Sequence, residues 1–141
     1  MRKYLKSVLL LIAVTPLIFS GCKKEHSHQV KIQQILTGAN EDGNATGPFE
    51  ASGAIKTSGT FVMQITPVGT DSIHCFNVLT APEGTIILTM RCSMVTNTGE
   101  WNITGGSGLY RHLRGDGTLV MEFPPGELGR ETSTGEVFFE W

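Results

Sequence analysis

The chain is short of charge, of aromatic side chains and of cysteine. Asp, Glu, Lys and Arg make up 17% of its 141 residues and aromatics 8%, and it has 3 cysteines. A helical bundle needs long charged side chains on its solvent faces. Their scarcity, together with 17 glycines, argues against one. A basic surplus is missing too, since 11 Lys+Arg stand against 13 Asp+Glu. Without Arg2, Lys3 and Lys6, which belong to the leader described next, 8 basic residues face 13 acidic ones, a net −5. That argues against a nucleic-acid partner, which requires a basic patch to displace counterions from phosphates. No Lys follows Gly105-Gly106-Ser107-Gly108 as a phosphate loop would require, so these residues read as a turn. There is no nucleophile-elbow set and no cluster with metal-ligand spacing. No cofactor is implied. What the chain does have is 40% hydrophobic residues, too many for a wholly disordered chain.

The N-terminus reads as a leader. Basic Arg2, Lys3 and Lys6 precede an apolar run from Val8 to Phe19, which has the length of a signal-peptide core and is too short for a comfortable membrane span. The run ends in Phe19-Ser20-Gly21-Cys22. This resembles the lipobox of bacterial lipoproteins, with Phe19 where Leu is usual. The resemblance implies cleavage after residue 21 and lipidation of Cys22. It implies residence in the bacterial cell envelope, with the membrane as a partner through the lipid. Residues 22–29, with Lys23, Lys24, Glu25, His26 and His28, read as the lipidated cysteine and a polar tether. His26 and His28 on such a tether make a poor metal site, and no metal is expected.

Residues 30–141 read as one domain. Short alternating runs recur between Gly, Asn, Asp and Pro clusters, the pattern of an all-β, calycin-like antiparallel barrel. Strands are expected at Val30–Leu36, Phe49–Lys56, Thr60–Val68, Ser72–Thr80, Thr85–Val95, Glu100–Thr104, Gly117–Phe123 and Glu136–Trp141. About eight strands suffice to close a small barrel. Ala39–Gly47 and Pro124–Thr134 read as loops.

Ser72–Thr80 and Thr85–Val95 form a hairpin around Ala81-Pro82-Glu83-Gly84. A turn centred between Glu83 and Gly84 sets Ile73 opposite Met94, Cys75 opposite Cys92, Asn77 opposite Met90 and Leu79 opposite Leu88. That face is apolar apart from Asn77 and points to the core. The register places Cys75 and Cys92 on a closely spaced, non-hydrogen-bonded pair, where a disulfide fits. An oxidising compartment favours that bond, worth about 3 kcal/mol by loop closure. His74 points away from Cys75, which disfavours a catalytic Cys–His pair.

The stretch Trp101-Asn-Ile103-Thr-Gly105-Gly106-Ser107-Gly108-Leu-Tyr110-Arg-His-Leu113-Arg-Gly115-Asp-Gly117-Thr118 resembles the allene oxide cyclase barrel-like, or dirigent-like, family. Gly47-Pro48-Phe49, Ser58-Gly59-Thr60 and Gly84-Thr85-Ile86 add to the likeness, which runs from about Thr46 to the C-terminus. It implies an eight-stranded barrel with an apolar cavity. The family's cyclases rely on a buried carboxylate and an ordered water. No residue matches that set, since Glu50, Glu100, Glu122 and Glu140 fall opposite the apolar faces of their strands. In such a barrel Asn77 either orients a ligand's polar group or bonds a neighbouring backbone. Phe61, Met63, Met90 and Trp101 line a pocket or fill the core, and Tyr110 packs near the mouth.

The expected protein is a lipid-anchored envelope barrel that binds a small apolar ligand or a partner without catalysis. A barrel isomerase or cyclase acting on a lipophilic substrate is the alternative. A structural or adhesive surface module, with an outer patch around Phe76, Ile87 and Phe138, is a third reading.

Overall fold

The structure, a computed structural model, describes residues 28–141. The leader, Cys22 and most of the tether lie outside the described residues. Nine strands follow one another: β1 (Gln29–Leu36), β2 (Gly38–Ala39), β3 (Ala45–Gly53), β4 (Thr57–Val68), β5 (Ser72–Ala81), β6 (Gly84–Ser93), β7 (Thr98–Gly106), β8 (Leu113–Glu122) and β9 (Gly129–Phe139). One 3-10 turn, Gly108–Tyr110, sits between β7 and β8.

Every pairing is antiparallel, and the strands from β3 to β9 are joined consecutively. β1 closes the circle by pairing with both β9 and β3, which makes an eight-stranded barrel. The two-residue β2 is an extra strand on β3. Alternation explains the closure. Val30 and Ile32 on β1, Phe49 and Ala51 on β3, Phe61 and Met63 on β4, and Leu88 and Met90 on β6 all point inward and are buried. Their neighbours along each strand face water.

Two loops of the sequence reading are strand in part. Ala45–Gly47 belong to β3, and Gly129–Thr134 belong to β9. Neither segment carries the apolar alternation that marks a strand, and both are strand because neighbours on two sides supply their hydrogen bonds.

The hairpin register is corrected by two residues. Ala81 pairs with Gly84, so the turn residues are Pro82 and Glu83. Proline has no N–H for the ladder, and its fixed φ suits the first corner of a turn. Cys75 therefore faces Met90, and Cys92 faces Ile73. The two cysteines lie diagonally, where Cα atoms are about 7–8 Å apart, beyond the usual reach of a disulfide. Both are free and buried. A two-residue slip preserves the faces, so the inward set on β5 and β6 stands.

The glycine-rich stretch closes one end of the barrel. Ser107 Oγ lies 2.7 Å from Thr85 Oγ1 and accepts a hydrogen bond from the Thr85 N–H at 3.1 Å. Gly108 has φ +58°, and a Cβ there would collide with the Glu83 carbonyl, so glycine is required at this corner.

Candidate functional site

Sequence expects an apolar lumen, and the structure puts a polar cluster in it. Gln34, Asn77, Glu131 and Ser133 are all buried. β1 brings Gln34 inward after Val30 and Ile32, while β9 brings Glu131 and Ser133 inward beside Val137. Gln34 and Glu131 are direct cross-strand partners. Asn77 enters from β5, which is not a neighbour of β1 in the circle. Its Nδ2 donates to Gln34 Oε1 at 2.9 Å, so one amide–amide hydrogen bond crosses the lumen. Asn77 Oδ1 and Gln34 Nε2 have no protein partner. Orphaned buried polar atoms are expensive, and a barrel built only for stability would have replaced them.

Glu131 is the chemical centre of the cluster. Burial pushes its carboxyl up to about 7, a rise that the hydrogen bond from Ser133 Oγ at 3.2 Å partly offsets. Near neutral pH the group is therefore populated in both forms and can give or take a proton. Its charge reaches the thiols of Cys75 and Cys92 and disfavours their ionisation. Cys75 is held well above the ordinary thiol range, first by its hydrogen bonding with Cys92 and then by burial. The same hydrogen bond lowers the pKa of Cys92, so Cys92 is the more readily ionised of the pair.

Phe61, Met63, Met90 and Trp101 all line the lumen and are nearly or fully inaccessible. Trp101 reaches across to β8 and β9, where its Nε1 donates to the carbonyls of Thr118 and Thr134 at 3.0 and 3.2 Å. The paired glycines Gly117 and Gly135 form the floor beneath it. Tyr110 stands apart from the cluster, in the 3-10 turn at the barrel's end. Its hydroxyl donates to Glu83 Oε2 at 3.3 Å, and Thr57 Oγ1 donates to the same oxygen at 2.8 Å. Burial raises the Tyr110 pKa, and the Thr57 bond lowers that of Glu83. Asn77 is thus the one anticipated ligand-binding residue that belongs to the polar cluster.

The expectation of a lumen without carboxylates is overturned by Glu131. Its parity with Val137 was available, but Ser133 and Gly135 between them hide the strand. Gln34 had a plainer signal, because it shares the face of Val30 and Ile32. Among the described residues, no three His, Cys, Asp or Glu side chains group as metal ligands. A cleft of about 860 Å³ lies outside the lumen, over the outward side chains of His74, Phe76, Arg91, Glu100 and Asn102. It meets the lumenal set at Cys75, Met90, Trp101 and Gly117.

Comparison with solved structures returns dirigent proteins. The pterocarpan synthase dirigent protein PsPTS1 is 14% identical with a TM-score of 0.46, covering 80% of this chain and 94% of its own. The pterocarpan synthase dirigent protein GePTS1 is 13% identical with a TM-score of 0.44, covering 79% and 88%. No family model and no curated protein matches the chain. The barrel assignment rests on this chain's own strand pairing.

Proposed function

We propose that the protein is a lipid-anchored barrel of the bacterial envelope that binds a small ligand in its lumen. The observation that carries this reading is the buried constellation of Gln34, Asn77 and Glu131, with two unpartnered amide atoms beside a carboxyl that titrates near 7. The ligand has an apolar body, matched by Phe61, Met63 and Met90. It also has a hydroxyl or carbonyl that takes up the free amide valences. The Asn77–Gln34 bond crosses the lumen, so the ligand is small or displaces that bond on entry. Native mass spectrometry of the full chain released from the envelope tests the reading. A co-purified small molecule, retained by the wild type and lost from Asn77→Leu and Glu131→Gln, is the expected result. A bare mass, with no thermal shift against a panel of lipophiles, sinks it.

A catalytic reading is favoured by one observation, the buried Glu131 carboxyl held at about 7 in the lumen. Such a group suits proton transfer during isomerisation of a lipophilic substrate. Turnover that follows a titration near 7 and disappears in Glu131→Gln would establish it. Binding without turnover of epoxide or enone substrates would leave the lumen a binding site only.

A further inference from the structure

The ends of the barrel differ in chemistry, and the difference is aligned with the tether. β1 starts at the end where β9 finishes, since the Val137 N–H donates to the His28 carbonyl at 2.9 Å and Gln29 pairs with Glu136. The 3-10 turn lies at the same end, where the Leu109 N–H bonds the Glu83 carbonyl in the β5–β6 turn. This end exposes a large apolar and aromatic surface. Trp141 is 95% exposed, Leu109 64%, Phe138 53% and Phe139 44%. Trp141 stacks on Phe139 with ring centroids 6.0 Å apart and tilts against His112 at 5.5 Å. Water alone gives no reason to gather these rings.

Charge is divided in the same sense. The aromatic end is balanced, with Lys31, Lys56, Arg111 and Arg114 against Glu83, Asp116, Glu136 and Glu140, and Arg114 pairs with Glu140 at 3.4 Å. The far end carries Glu41, Asp42, Asp71, Glu122 and Glu127 against Arg130, which pairs with Glu127 at 2.8 Å. The far end also exposes Val68, Met94, Val95, Phe123 and Leu128, but beside carboxylates that an anionic lipid surface repels.

We propose that the aromatic end, with Leu109, Phe138, Phe139 and Trp141, docks on the phospholipid surface in which the chain is anchored. The inference rests on the lipid-anchor reading of Cys22. Cys22 and His28 are six positions apart, so at most about 20 Å separates them whatever path the chain takes. An acylated Cys22 therefore holds this end, not the acidic one, next to the bilayer. Aromatic rings favour the headgroup boundary, where an apolar body meets water. Arg111 and Lys56 meet anionic headgroups there, and the acidic end faces away. Held in this way, the barrel keeps a fixed orientation on the membrane.

The chain has 2 tryptophans, Trp141 exposed and Trp101 buried, so emission reports the docking directly. The probe is the full lipidated chain in vesicles of phosphatidylglycerol and phosphatidylcholine with brominated acyl chains. Quenching of Trp141 emission is expected, stronger at low salt, with little quenching left in Trp141→Phe, which retains only Trp101. A second variant, Phe138→Ser with Phe139→Ser, should keep the Trp101 near-ultraviolet signal of the folded barrel and lose most of the Trp141 quenching. Flotation with vesicles and the mass of the Cys22 peptide report the anchor separately. A lipidated chain that floats without quenching overturns the docking and leaves the anchor. An unlipidated chain that still shows quenching on added vesicles supports the docking and removes the anchor, and one that shows none overturns both. Trp141 shielded by a second copy of the chain in the absence of lipid also overturns the proposal.

Discussion

Glu131 is a buried carboxyl whose ionisation is strongly disfavoured by its surroundings. Its folded pKa of about 7 lies above the ordinary 4.5. The folded state therefore holds a proton that the unfolded state releases between those values. By linkage, the contribution of this group is fully present below pH 4.5 and is lost as pH rises through 7. The shift corresponds to about 3 kcal/mol. Urea unfolding is expected to give a higher stability near pH 4.5 than at pH 8, and the Glu131→Gln variant should flatten that slope. A slope unchanged in the variant would mean that Glu131 is solvated. The lumenal amide pair makes a second expectation. Asn77→Leu leaves Gln34 buried without its partner and should cost about 1–3 kcal/mol. Adding Gln34→Leu removes the orphan and should restore much of the loss, as a double-mutant cycle in urea would show. Two singles that simply add would mean that the pair does not interact.

At the scale of the strand, register decides more than face. The inward side of the β5–β6 hairpin is legible from alternation, because a shift of two residues leaves every side chain on its face. The pairing itself depends on where the turn bends, and Pro82 and Glu83 set it two residues away from the arrangement that would oppose the cysteines. Alkylation under denaturing, non-reducing conditions should label both Cys75 and Cys92, while the folded protein reacts slowly because both thiols are buried. A mass lower by two hydrogens, with no label at either position, would restore direct opposition. The β8–β9 pair makes a steric expectation. A Cβ on Gly135 would lie 2.8 Å from the Trp101 ring and 2.7 Å from the Gly117 Cα. Gly135→Ala should destabilise by about 3 kcal/mol, at the upper end for overpacking. It should also disturb the Trp101 near-ultraviolet signal.

For the whole molecule, closure is the decisive event. β1 alone supplies the pairing to both β3 and β9, so the barrel has no open seam while β1 is in place. Deleting Gln29–Leu36 exposes two long edges and removes Val30, Ile32 and Gln34 from the core. Loss of the cooperative melt, with aggregation at micromolar concentration, is the expected outcome in calorimetry and light scattering. A truncated chain that still melts cooperatively would mean that β3 and β9 can pair without it.

The sequence by itself determined the all-β class, the strand count, the inward faces of β4 to β8 and the glycines of the corner at Gly108. Each follows from a local rule: period-two alternation, or a backbone angle that only glycine adopts easily. Only the tertiary structure decided that Glu131 and Ser133 belong to a strand, that Gln34 and Asn77 meet across the lumen, and that the cysteines stand diagonally. Those facts depend on long-range pairing. In a segment without apolar alternation, such as Gly129–Thr134, a polar residue on an inward face is indistinguishable, along the chain, from a loop residue, and it becomes a buried group only when the barrel closes over it.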